Sequence, residues 1–226
     1  MRPRLQHIPP EYANLGLPAA DLHRHIALDI GALGLSRRIS EALDAPLIYS
    51  LASRLVIDCN RDPATASDAI PAISEDTLIP GNAAVSAEDK ARRIATIYEP
   101  YHALAAQAVE RQSARSGKIA VVAMHSFTPV YRGVVRPWDI GVILSDKSGL
   151  SERIIEVLRA APGLNVGINQ PYSVEDNLNH TLERHGMAHG FASAMIEVRQ
   201  DHIAEEAGQA VWAAHLADVL RRSLDL

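Results

Sequence analysis

Four short apolar runs in the second half of the chain alternate with segments of helical character, and this alternation constrains the fold most. The runs KIAVVAMH, DIGVILS, LNVGIN and FASAMIEVRQD are predicted to be strands, and KIAVVAMH has the clearest strand pattern of the four. Helices are predicted over residues 151–160, 176–185 and 205–226. Strands that alternate with helices predict an α/β fold, a three-layer sandwich around a mixed, largely parallel sheet.

The first half of the chain is predicted to add two helices and two further strands. The first helix runs from Asp21 to about Leu43, and the second begins at the cap-like Ser86 and is kinked at Pro100. LIYS and RLVIDCN, which lie between the two helices, are predicted to be short strands.

A long connection rich in Pro, Ala, Ser and Asp follows over residues 61–82. Its length is unusual for a compact domain, so it is either a functional lid or a poorly ordered stretch. No internal repeat or linker divides the chain, which is therefore predicted to be one domain over residues 1–226.

Composition excludes several classes of protein. The net charge is −5 with no block of like charge, so no nucleic-acid partner is predicted. Cys59 is the only cysteine, which excludes an intramolecular disulfide framework and a multi-cysteine metal site. No apolar run approaches the roughly 18 residues of a membrane span, and the opening MRPRLQHIPPEY lacks the apolar centre of a signal peptide. We therefore expect a cytoplasmic protein.

Polar side chains follow three of the predicted strands. They are the pair Asn60 and Arg61, then His125, where the strand KIAVVAMH is expected to end, and Glu197 within AMIEVRQD. Ligands gather at the carboxyl ends of strands in open α/β sheets, so these groups are expected to meet in one cleft.

Each of these residues has a chemical interpretation and a structural one. His125 is either a metal ligand or a hydrogen-bonded structural histidine. Glu197 is either a general base or half of an ion pair with Arg199, two residues along the same strand face. Asn60 and Arg61 suit a substrate carboxylate, although a single arginine at the start of a loop is more often a surface residue.

Two further arginines and two pairs of histidines also bear on the predicted site. Arg136, next to Trp138, is predicted to be a second anion contact or a loop staple, and Arg54 a further substrate contact or a structural partner of Asp58. The histidine pairs at 23 and 25 and at 185 and 189 do not form a helical zinc motif, since the first pair cannot share a helix face and glycines interrupt the second.

Several rare segments occur together in this chain. They are HIALDIGA, SRLVIDCNR, IPGN, YHA, HSFTPV with RPWDIGV, and IEVRQD. In combination they resemble the N-formylglutamate amidohydrolase family, from about Ile8 to the closing helix. The resemblance implies a hydrolase-like, zinc exopeptidase-like fold similar to that of zinc carboxypeptidases and aspartoacylases.

The resemblance also implies an activity and roles for residues. The activity is hydrolysis of the N-acyl amide of an acidic amino acid, N-formyl-L-glutamate giving formate and glutamate, as in histidine degradation. It implies that His125 binds zinc and Glu197 is the general base. Asn60 and Arg61 would then bind the substrate carboxylate, with Tyr172 as a substrate-side hydroxyl.

The chain departs from the family at its start. The family usually opens with an apolar strand that ends in a histidine segment, and MRPRLQHIPP has no such strand; His7 lies about four residues too late to be that histidine. One histidine does not make a catalytic zinc site, which normally has three protein ligands. We therefore keep an alternative: a catalytically inactive, carboxylate-binding relative. A homo-oligomer is also left open, since Val211, Trp212 and Leu216 of the closing helix are expected to pack on the body or on a partner.

Overall fold

The computed structural model describes residues 7–116, 119–144, 147–176 and 178–225. The chain forms two compact units. Unit 1 comprises residues 1–28 and 48–107, and unit 2 comprises residues 29–47 and 108–226. The prediction of a single domain over residues 1–226 stays a prediction.

The regular elements within the described residues are as follows. The α-helices are α1 (Ala32–Leu43), α2 (Ala87–Arg93), α3 (Glu99–Ser116), α4 (Leu150–Arg159), α5 (His180–His185), α6 (Gln200–Ile203) and α7 (Glu206–Leu224). The strands are β1 (Ile73–Ser74), β2 (Thr77–Leu78), β3 (Ala120–Phe127), β4 (Val130–Tyr131), β5 (Val134–Val135), β6 (Ile140–Ile143), β7 (Val166–Ile168) and β8 (Ala192–Arg199). None of these helices is both long and apolar enough to cross a membrane.

Unit 2 is built on a four-stranded sheet with the order β3–β8–β6–β7. Strands β3 and β8 are parallel, β8 and β6 are antiparallel, and β6 and β7 are parallel. The predicted mixed, largely parallel sheet is therefore confirmed. The strands predicted from the four apolar runs are all present, although β3 continues two residues beyond His125, to Phe127.

Helices lie on both faces of this sheet. On one face, side chains such as Ile196 and Val198 pack with the apolar sides of α1, α4 and α7 in the main core cluster. On the other face, Met195 and Ile143 pack with Leu182 of α5. Burying a Leu, Ile or Met side chain contributes about 1.5–3 kcal/mol. The layering is consistent with the predicted three-layer sandwich.

The two strands predicted in the first half are wrong. Residues 47–50 form no strand, and residues 54–56 and 59–60 form turns. Leu55, Val56 and Ile57 are buried, as the apolar pattern indicated. Their backbone groups are bonded by distant side chains instead of a neighbouring strand: Asn82 Nδ2 donates to the carbonyl of Leu55, and Arg93 Nη1 donates to that of Val56. Asn60 and Arg61 therefore do not follow a strand.

The predicted helices need smaller corrections. The first α-helix begins at Ala32 instead of Asp21, because Gly31 at its N-cap has a left-handed backbone with φ +79°. The helix predicted from Asp176 begins at His180. The closing helix α7 is confirmed, and its Leu216 and Trp212 pack on the body of unit 2 while Val211 is exposed.

Residues 61–82, in unit 1, form regular structure. They contain a 3-10 helix at Ser67–Ala69, the β1–β2 hairpin and a second 3-10 helix at Pro80–Asn82, so the interpretation as a poorly ordered stretch does not hold. A role as a lid stays a prediction. A π-helical turn over Ile94–Tyr98 lies between α2 and α3, and the kink predicted at Pro100 stays a prediction.

Candidate active site

His125 and Glu197 lie side by side on unit 2's sheet. They are direct partners in the parallel register of β3 and β8, so their side chains leave the same face of the sheet from strands about 4.8 Å apart. That face also carries Ala123 and Met195, two residues earlier on each strand. The Glu197 side chain is buried, with 4% of the residue exposed. The predicted proximity of the imidazole and the carboxylate follows from this register.

Asp29 holds the imidazole of His125. Its Oδ2 accepts a hydrogen bond of 2.7 Å from His125 Nδ1, and both side chains are largely buried. Asp29 lies in the turn before α1, and the carbonyl of Asp29 accepts a hydrogen bond from the N–H of Ala32. A carboxylate bonded to Nδ1 fixes the plane of the ring and directs Nε2 away from it.

Two glycines continue the row of paired residues across the sheet. Gly141 of β6 pairs with Glu197, and Gly167 of β7 pairs with Gly141. A Cβ atom at Gly141 would lie 1.9 Å from the carbonyl oxygen of Gln170, and one at Gly167 would lie 3.0 Å from the ring of Trp138. The missing side chains let the backbone at Gln170 lie directly on the sheet, and Tyr172 follows two residues later on the same face.

Arg136 is bound to Tyr172. Its Nη1 donates a hydrogen bond of 3.2 Å to the Tyr172 hydroxyl, and its guanidinium carbon lies 4.8 Å from the centre of that ring. A second ring, that of Tyr131, lies 4.5 Å from the same carbon. Arg136 is 8% exposed. It is therefore a largely buried cation among aromatic rings, and its role as an anion contact or a loop staple stays a prediction.

Glu197 is not the ion-pair partner of Arg199. Arg199 pairs with Asp201 at 2.8 Å and with Asp139 at 3.4 Å. The Asp139 carboxylate also accepts hydrogen bonds from the backbone N–H of Asn165 and from His202 Nε2. Burial of the Asp139 carboxylate disfavours its charged form and would raise its pKa. These two hydrogen bonds outweigh that effect, so the pKa of Asp139 lies below its usual range. This network fixes the end of β8 just beyond Glu197.

The other three predicted substrate contacts belong to unit 1. Arg61 Nε lies 3.2 Å from Asp68 Oδ2, so its guanidinium has a carboxylate partner on the 3-10 helix that follows it. The N–H of Asn60 donates to Asp58 Oδ1 within a turn. Arg54 lies in the preceding turn and is partly buried. Their roles in binding stay predictions.

The residues described do not make up a three-ligand zinc site. Within the described ranges, no group of three or more His, Cys, Asp or Glu side chains is placed to hold a metal ion. Asp29 and His125 are two suitable donors, but they are bonded to each other. His7 is exposed, and its backbone is bonded to Leu51 and Ser53 in unit 1. The zinc prediction stays a prediction, and no step of the reaction is assigned to a metal.

Two residues of this site, Asp29 and Tyr131, are not predicted from the sequence. Asp29 carried one usable signal, an acidic residue within the apolar stretch HIALDIGA, but the predicted helix assigned it to a helix interior. Its partner His125 is 96 residues away in sequence. Tyr131 gave no signal, because its contact with Arg136 depends on the fold of the β4–β5 hairpin.

An imidazole held by one carboxylate lies here beside a second, buried carboxylate. Such groups can act as general acid and general base in hydrolysis by water. The family model for N-formylglutamate amidohydrolase matches residues 5–204 of the 226-residue chain. The chain belongs to the N-formylglutamate amidohydrolase family, and the resemblance stated above is confirmed.

Two solved structures are similar to this chain. The gene product Atu2144 from Agrobacterium tumefaciens shares 36% identity over 99% of this chain and 91% of its own, with a TM-score of 0.92. The N-formylglutamate amidohydrolase from Ralstonia eutropha JMP134 shares 22% identity over 86% of this chain and 85% of its own, with a TM-score of 0.53. At that identity the second likeness shows a common fold alone. A comparison with curated proteins gave no match.

Proposed function

We propose that this amidohydrolase cleaves the N-acyl amide of an acidic amino acid, with N-formyl-L-glutamate as the substrate and formate and glutamate as products. One observation carries the proposal: His125, which is held by Asp29, and the buried Glu197 occupy adjacent positions on one face of the sheet. Family membership supports the amidohydrolase class. The choice of an acidic substrate draws on Arg136, a buried cation next to Tyr172.

In the proposed mechanism, Glu197 is the general base. It accepts a proton from water as the water oxygen adds to the formyl carbon, and it then delivers that proton to the amide nitrogen. The C–N bond breaks, which releases formate and the free amine of glutamate. The burial of Glu197 keeps its carboxylate in a site of low dielectric, where proton transfer is directed to the substrate and not to solvent.

His125 and Asp29 act on the oxygen of the scissile amide. When protonated, His125 can donate from Nε2 to the negative charge that develops on that oxygen, while Asp29 keeps the ring in place through Nδ1. The predicted role of His125 as a zinc ligand is a separate proposal. Asn60, Arg61 and Arg54 are retained as proposed carboxylate contacts, each to be tested by its own variant.

The reaction is tested by formate release from N-formyl-L-glutamate, measured with and without added Zn²⁺ and paired with metal analysis of the purified protein. Glu197→Gln is expected to lower the turnover number by about 10²–10⁴-fold while binding of glutamate is retained. Glu152→Gln, at an exposed position on α4, is the matched control and should leave turnover unchanged. Full turnover in Glu197→Gln would remove this residue from the mechanism.

The alternative is an inactive, carboxylate-binding relative. It is favoured because the residues that the structure describes provide two donors here, Asp29 and His125, whereas a catalytic zinc site normally has three protein ligands. Glutamate binding without formate release, at every Zn²⁺ concentration tested, would select this alternative over the hydrolase.

A further inference from the structure

Arg136 is an arginine whose charge has no acidic partner among the residues that the structure describes. Its side-chain contacts there are the Tyr172 hydroxyl and the rings of Tyr131 and Tyr172. Removing a cation from water is costly unless an anion or several hydrogen bonds compensate. Two aromatic rings compensate only part of that cost. The site is therefore prepared for an anion from outside the chain.

Arg93 in unit 1 shows what a purely structural arginine looks like in this protein. It is 1% exposed and lies 4.8 Å from the ring of Tyr12, so it is a buried arginine with an aromatic contact, as Arg136 is. Arg93 also pairs with Asp89 at 2.7 Å and donates to the carbonyl of Val56 and to Asn82 Oδ1. The charge of Arg93 thus has a carboxylate partner within the chain, whereas Arg136 has no such partner among the described residues.

The β4–β5 hairpin sets the position of Arg136 relative to Tyr131. The two strands pair Tyr131 with Val134 across a tight turn whose central residues, Arg132 and Gly133, have φ values of +48° and +77°. The N–H of Arg136 closes the base of the hairpin by donating to the carbonyl of Pro129 at 2.8 Å. Tyr131 and Arg136 are thus held in a fixed relation by one short element.

We infer that Tyr131 is a positioning residue for substrate selection, and that the Arg136 guanidinium, held against its ring, binds one of the two carboxylates of the substrate. The planar guanidinium matches a carboxylate through paired hydrogen bonds, and a ring contact limits its rotation. The ring of Tyr131, and not its hydroxyl, carries this role. The inference rests on the proposed function for the identity of the substrate.

The kinetic test compares Tyr131→Leu and Tyr131→Phe on three substrates: N-formylglutamate and the two analogues in which one carboxylate is replaced by a neutral amide. Tyr131→Leu should raise KM for N-formylglutamate about 5- to 30-fold with kcat changed by less than about twofold. That penalty should disappear for one of the two analogues and persist for the other. Tyr131→Phe, which keeps the ring, should behave as the wild type on all three.

The matched control is Val135→Ala, on the same hairpin, whose side chain is 68% exposed. It should leave all kinetic constants unchanged. A Tyr131→Leu penalty that persists for both analogues, or no penalty for any substrate, would overturn the inference. Arg136→Lys is the replacement variant if Tyr131→Leu fails to fold. It keeps the positive charge but loses the planar guanidinium, and it should show the same substrate pattern.

Direct binding separates this inference from the proposed reaction. Titration calorimetry with L-glutamate needs no turnover, and Tyr131→Leu should weaken that binding by the same factor as it raises KM. Glutamate binding that depends on Tyr131 in a protein that releases no formate would refute the reaction and retain the carboxylate site. Formate release with unchanged glutamate binding in Tyr131→Leu would retain the reaction and refute the site.

Discussion

Replacing Gly141 with alanine is a strong test of how the sheet positions the candidate site. The added Cβ would lie 1.9 Å from the carbonyl oxygen of Gln170, while ordinary contacts of this kind are longer than 3.0 Å, so the two groups must separate by more than an ångström. Gln170 is two residues before Tyr172, whose hydroxyl accepts the 3.2 Å hydrogen bond from Arg136. The displacement should therefore loosen the contact between Tyr172 and Arg136.

The expected magnitude follows from overpacking of a rigid sheet. Inserting a methyl group that forces the backbone to move costs about 1–3 kcal/mol of stability. For a chain of this size, each kcal/mol lowers Tm by about 2–4 °C. Gly141→Ala should lower Tm in a calorimetric scan by several degrees and raise KM for N-formylglutamate.

Gly163→Ala is the control for this prediction. Gly163 has φ +79° and no atom within 4 Å of an added Cβ, so alanine there introduces backbone strain without a clash. It should lower Tm without any change in KM. A wild-type Tm and KM in Gly141→Ala would refute the argument that the glycine seats the Gln170 backbone on the sheet.

Three further predictions test single contacts. Asn82→Ala removes the Nδ2 bonds to the carbonyls of Leu55 and Pro71 and the acceptor of Arg93, and it should destabilise the protein by about 2–4 kcal/mol in a urea titration with an unchanged m-value. The depressed pKa of Asp139 means that its contribution to stability is complete above the unfolded value of about 3.9 and is lost as pH falls through the lower folded value. Asp139→Asn should therefore flatten the dependence of the unfolding free energy on pH in that acidic range, and an unchanged slope would contradict the assignment. Asp29→Asn keeps the shape of the side chain but removes the charge that holds His125 Nδ1, and it should reduce formate release by at least tenfold with wild-type Tm; equal turnover would exclude a role for the pair.

The sequence predicts the second half of the fold well, because local pattern and tertiary environment agree there. In β8, Ala194, Ile196 and Val198 face the main core, and a short, mostly apolar run of this kind is typical of a buried strand. The burial of Leu55, Val56 and Ile57 was also predictable. Their turn conformation was not, since it depends on hydrogen bonds from side chains 27 and 37 residues away.

Some residues of the candidate site could likewise be predicted from the sequence, and others could not. His125 and Glu197 could be predicted because each is a polar residue on an apolar strand, where burial is costly without a function. Asp29 and Tyr131 could not be predicted, because their significance lies in contacts that only the folded chain creates. The two arginines differ in their surroundings: Arg61 has a carboxylate partner in unit 1, whereas Arg136 contacts tyrosines.

The register between β3 and β8 determines how a misfolded molecule would differ from a correctly folded one. If β8 were displaced by one residue, Glu197 would turn toward the helices α1, α4 and α7, and Ile196 would turn away from them. The same packing that makes the correct pairing favourable thus also brings the carboxylate next to the imidazole. A misaligned molecule would lose stability and chemistry together, so measured turnover would count the correctly paired molecules in a preparation.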